Sequence, residues 1–128
     1  MGWHGPSEPK LVSIDLTADE RGMLGACLID WGGPAHGTDS LAVALGFAGM
    51  DDLWREAERI EAAIAAGEPL TKQDWTRALV SAEIIFASDV FGTGSSWTMM
   101  NGDTDEHGIR VLRSLQRKLP AVRRFLGR

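Results

Sequence analysis

Residues 71–91 read Thr71-Lys-Gln-Asp-Trp75-Thr-Arg-Ala-Leu-Val80-Ser-Ala-Glu-Ile-Ile85-Phe-Ala-Ser-Asp-Val90-Phe91, and the periodicity of this stretch decides the fold class. Thr71 supplies the hydroxyl that a helix N-cap needs, with Asp74 in the third position of the first turn. Wound at the α-helical period, Trp75, Ala78, Leu79, Ala82, Phe86 and Val90 fall on one face. Val80, Ile84, Ala87 and Phe91 cover much of the other side, and Asp74, Arg77, Ser81 and Ser88 leave only a narrow polar strip. A helix apolar almost all round must be surrounded by other elements, so 72–91 is expected at the centre of its domain.

The flanking segments supply those surroundings. Toward the N-terminus, 51–66 sets Leu53, Trp54, Ala57, Ile60 and Ile64 on one face, with Gly67 just past its end. A shorter helix over 39–47 carries Leu41, Ala44 and Leu45. Before it, Thr17-Ala-Asp-Glu20 is a capping box that opens a helix over 18–31 bearing Leu24, Cys27, Leu28 and Trp31. Gly32-Gly33-Pro34 stops that helix. Residues 1–16 read as an extended arm in which Val12, Ile14 and Leu16 alternate with Ser13 and Asp15. Toward the C-terminus, 92–104 reads as a loop with Trp97 and Met99 or Met100 as apolar pegs. Thr104 then caps a helix over 105–119, with Ile109, Leu112, Leu115 and Leu119 inward and Arg110, Arg113 and Arg117 outward. Pro120 ends it or opens a last turn over 121–126. The reading is all-α: a compact bundle of about five helices around 72–91, with an arm (1–16), a single helical domain (17–128) and no sheet.

Composition narrows the function classes. A chain of 128 residues with a 44% hydrophobic share suits one globular domain. No apolar run approaches the roughly 18 residues of a membrane helix, and the first residues lack the basic and apolar regions of a signal peptide. No membrane partner is expected, and the expected compartment is the cytoplasm. Cys27 is the only cysteine, which excludes an intrachain disulfide and a thiolate metal cluster; on its apolar face it reads as a buried structural thiol. The charge is divided. All 18 acidic residues lie in 1–106 with six of the 13 basic ones, a formal −12, while 107–128 holds the other seven and no acid, +7. An acidic body with a basic end bears on association.

Motifs for chemistry fail on spacing. A calcium loop begun at Asp103 places Gly108 correctly but puts Ser114 where a bidentate Glu belongs. Gly92-Thr-Gly-Ser-Ser96 is neither a nucleophile elbow nor a phosphate loop. His4, His36 and His107 are too far apart for a local metal motif. The reading therefore assigns no catalytic residue, no metal and no cofactor. Two carboxylates stand in awkward places: Glu83 on the broad apolar side of 72–91, and Asp89 at its margin. Each must be paired, hydrogen-bonded or protonated, as an internal ion pair with an arginine such as Arg21 or Arg113, as a cap on loop N–H groups, or as an acid–base or partner-binding group.

Leu41-Ala-Val-Ala-Leu-Gly46-Phe47, followed by Asp51-Asp-Leu-Trp-Arg55, resembles the A-x-x-x-G-F spacing of helix-turn-helix DNA-binding families of the AraC type over about twenty residues. The resemblance implies a transcriptional regulator. Asp51, Asp52, Glu56, Glu58 and Glu61 on the recognition helix would repel a phosphate backbone, so nucleic acid is not the expected partner. Trp31-Gly-Gly-Pro-Ala35, Leu70-Thr-Lys-Gln-Asp-Trp75-Thr-Arg77 and Phe86-Ala-Ser-Asp-Val-Phe-Gly92 resemble small helical proteins of the actinobacterial type, which implies no activity.

The resulting expectation is a non-enzymatic module that binds another protein with a basic surface, in its concrete form an immunity or antitoxin-like inhibitor. Asp51, Asp52 and Glu56 are the expected acidic contacts. Arg110, Arg113 and Arg117 are the expected basic ones, available for a second contact or a homo-oligomer. A small helical enzyme or accessory subunit using Glu83, Asp89 and a histidine in a cleft, and the helix-turn-helix regulator, are the alternatives.

Overall fold

The computed structural model describes residues 10–31, 37–87 and 105–119. Within them lie five helices: α1 Ala18–Asp30, α2 Asp39–Ala44, α3 Met50–Ala65, α4 Lys72–Ala87 and α5 Asp105–Lys118. The all-α reading stands, with one correction. Leu11–Val12 (β1) and Leu70–Thr71 (β2) form a two-stranded antiparallel ladder, Leu11 opposite Thr71 and Val12 opposite Leu70. This short pairing satisfies backbone groups of the arm's described residues while Val12, Ile14 and Leu16 turn toward the core. The Trp75 indole fixes the junction by donating Nε1–H to the Val12 carbonyl at 2.8 Å.

Local chemistry explains where the helices begin and end. Glu20 N–H donates to the Thr17 hydroxyl at 3.1 Å and Thr17 N–H donates to the Glu20 carboxylate at 2.8 Å, completing the capping box. The Thr38 and Thr71 hydroxyls cap α2 and α4 by accepting from Leu41 N–H and Asp74 N–H. Helix α2 stops at Ala44, earlier than its apolar spacing suggests, because Gly46 turns the chain at φ 95°. Helix α3 ends in a Schellman motif: Gly67 at φ 73° lets Glu68 N–H reach the Ala63 carbonyl and Gly67 N–H the Ile64 carbonyl.

Helices α1 and α4 form the centre together. Helix α4 packs on α1, α3 and α5, and α1 in turn packs on α3, α4 and α5. Trp75, Ala78, Leu79, Ala82 and Phe86 are buried as the periodicity predicts, joined by Ile85. Two positions of the expected polar strip are buried too. Asp74 takes Arg59 at 2.9 Å and Arg77 at 3.4 Å, and the Ser81 hydroxyl accepts from the Trp31 indole at 3.1 Å. These polar groups tolerate the interior because each has a partner. Trp54 and Ile109, expected inward, are instead 45% and 43% exposed. The inward positions of α5 are Val111, Leu112 and Leu115, with Leu119 just beyond its end. The loop over 92–104, the turn over 121–126, Val90 and Phe91 lie outside the described residues.

Candidate functional site

The geometry that stands out lies between α1 and α3. Leu28 and Ala57 floor a groove of about 380 Å³, and Ile29, Trp54, Glu58 and Glu61 rim it. Helical spacing produces the rim. Asp51, Trp54, Glu58 and Glu61 follow one another at intervals of three and four along α3, so they share a stripe. On the facing side of α1 the Glu61 side chain lies close to Gly25, where a Cβ would meet its Cγ at 3.7 Å, an ordinary van der Waals contact.

Trp54 is held in its exposed position. Its Nε1–H donates to the Trp31 carbonyl at 2.8 Å, so the indole satisfies an orphan C=O at the end of α1 while leaving a ring face open. Ile29, 61% exposed, stands beside it. An apolar surface rimmed by carboxylates and carrying a fixed indole can seat an apolar side chain and attract the cations around it.

The sequence-predicted acidic residues divide. Asp51 is exposed and shares the groove's stripe. Asp52 is engaged locally: it accepts from Ala48 N–H at 3.0 Å and from Arg55 at 3.2 Å, and the Ala48 bond, chiefly, lowers its carboxyl below the ordinary range. Glu56 is paired with Arg59 at 2.7 Å. Glu58 and Glu61, which the charge pattern did not single out for binding, are the carboxylates at the groove. Their signal was present in the spacing from Trp54, but reading it required knowing that Trp54 faces solvent.

The arginine stripe of α5 is exposed at Arg110, Arg113 and Arg117. The described ionic contacts of α5 run to α1, Lys118 to Glu20 at 2.6 Å and His107 to Asp19 at 3.2 Å. Glu83 is half-buried and accepts from the Gln116 amide at 2.7 Å, while Arg113 donates to the Gln116 carbonyl oxygen at 2.7 Å. The arginine thus reaches this carboxylate through an intervening amide. Asp89 lies outside the described residues, as do His4 and His36.

Glu20 is buried at the start of α1. Besides its capping bond it accepts from the Ser114 hydroxyl and from the Lys118 ammonium, which also donates to the Asp15 carbonyl at 2.7 Å. Burial pushes its pKa up, but the bonds from Lys118, Ser114 and Thr17 outweigh that and hold it at about 2. A fully engaged carboxylate in this setting is a structural fastener. Burial, reinforced by Asp30, pushes the Cys27 thiol far up, which leaves it an unreactive core group.

No protein-family model, curated protein or solved structure matches the chain. Among the described residues no helix is long and apolar enough to cross a membrane, and no three His, Cys, Asp or Glu side chains converge in a manner fit for a metal.

Proposed function

We propose that the protein is a non-enzymatic binding module whose groove between α1 and α3 receives an apolar side chain from a basic partner protein. An immunity or antitoxin-like inhibitor is the concrete form of this reading. One observation carries it: Trp54 is both exposed and hydrogen-bonded in place, next to Ile29 and within a stripe of Asp51, Glu58 and Glu61. A large aromatic ring that is already ordered loses little conformational entropy on binding, which is the property of an anchor. The carboxylates speed the encounter with a cationic surface. The same stripe argues against DNA, since α3 in the recognition position would bring carboxylates toward phosphates.

The test is capture of the host partner by wild type and by a Trp54→Ala/Glu58→Gln/Glu61→Gln variant, with association rates at low and high salt. Wild type should bind with an on-rate that falls steeply with salt, and the variant should lose both the binding and the salt dependence. Equal association by the two proteins would remove the groove from the mechanism.

A further inference from the structure

The surface complementary to this groove is carried by the same chain. On α5, Ile109, Arg110, Arg113 and Arg117 share one outward face, with Ile109 43% exposed and all three arginines exposed. None of the three arginines makes an ion pair with a described carboxylate; Arg113 bonds to Gln116. On α3, Trp54, Glu58 and Glu61 are separated by four and then three residues. On α5, read backwards, Arg117, Arg113 and Arg110 are separated by four and then three. Both stripes span seven residues, about 10 Å of helix. Laid antiparallel, they set Arg117 against the Trp54 ring, Arg113 against Glu58 and Arg110 against Glu61. The two faces do not meet within one molecule, because α1 packs against both helices while α3 and α5 share no substantial contact.

We infer that the groove between α1 and α3 docks the arginine face of α5 from a second copy of the chain. The inference rests on the proposed reading of the groove as a docking surface and names an occupant for it. The two patches are different surfaces, so the contact is heterologous: a dimer leaves a free arginine face on one copy and a free groove on the other, and association continues beyond the dimer unless the geometry closes a ring. Screening between the charges makes the assembly sensitive to salt. A basic partner at the groove would compete with the second copy.

Sedimentation velocity on the full chain tests this with two variants, Trp54→Ala/Glu58→Gln/Glu61→Gln and Arg110→Gln/Arg117→Gln. Circular dichroism and thermal melting establish first that both fold, and the substituted side chains are mostly exposed. Wild type should associate with rising concentration at low salt and dissociate at high salt. Each variant alone should associate at least about tenfold more weakly. Their equimolar mixture should form a 1:1 dimer and stop there, since only one competent groove and one competent arginine face remain. A wild type that stays monomeric, a variant that associates as well as wild type, or a mixture that stays monomeric overturns the inference. A helical peptide with a leucine anchor flanked by lysines then separates the two readings. If wild type is monomeric yet binds this peptide through Trp54, Glu58 and Glu61, self-docking falls and the groove stands. If the peptide fails to bind as well, both fall.

Discussion

Glu20 and Lys118, 98 positions apart in the chain, meet at 2.6 Å and fasten the start of α1 to the end of α5. Glu20 lies at about 2 against an ordinary 4.5, so its ionised form favours the folded state. A carboxyl lowered by folding contributes stability that is full above its unfolded value and lost as pH falls through the folded one. Glu20 should therefore contribute about 3 kcal/mol at neutral pH, disappearing between roughly pH 5 and 2. Urea denaturation across that range should show wild type losing more stability than Glu20→Gln. Lys118→Met should cost about 2–3 kcal/mol, less than breaking a wholly buried pair, because the ammonium is 35% exposed.

Asp30 presents the opposite case. It closes α1, where the helix dipole disfavours a negative charge, and its Oδ2 is buried with no hydrogen-bond partner among the described residues. Burial raises its carboxyl above the ordinary 3.8. Ionisation therefore costs stability at pH values above its folded value, and the cost vanishes below the unfolded one. Asp30→Asn should stabilise the fold by about 1 kcal/mol at pH 7, with the advantage closing as pH falls through the raised folded value toward the ordinary 3.8. An equal or lower melting temperature for the variant at pH 7 would contradict this.

Two glycines should respond in opposite directions to alanine. Gly22 sits inside α1, and a Cβ there would meet nothing within 4 Å, so Gly22→Ala should stabilise by about 0.5–1 kcal/mol through helix propensity. Gly67 has φ 73° in the Schellman turn, and Gly67→Ala should destabilise by about 1 kcal/mol. Thermal melts of the two variants should bracket wild type.

Trp31 and Ser81 test the buried polar contact between the two central helices. Ser81→Ala removes the acceptor at 3.1 Å and leaves the Trp31 N–H buried, which should cost about 1–3 kcal/mol. Because Trp31 also offers its carbonyl to Trp54, a shift in Trp54 fluorescence should accompany the loss.

The sequence by itself determined the helices, the caps at Thr17 and Thr71 and most of the core. Thr17-Glu20, Thr71, Gly67 and the apolar spacing of 72–87 all act within a few residues, where chain geometry leaves little choice. It also determined that charge is divided between an acidic body and a basic end. Tertiary structure decided which margin of each face is wet. Trp54 and Ile109 lie at the edges of apolar arcs, and only the angle at which a neighbouring helix crosses settles whether such an edge is covered. Likewise Glu20 reads as a cap in one dimension, while its burial depends on Ser114 and Lys118, placed one turn apart on α5 and brought to it by packing alone. The groove arises from the same cause. Its floor comes from α1 and α3, its carboxylates from α3, and no segment of the chain contains both halves.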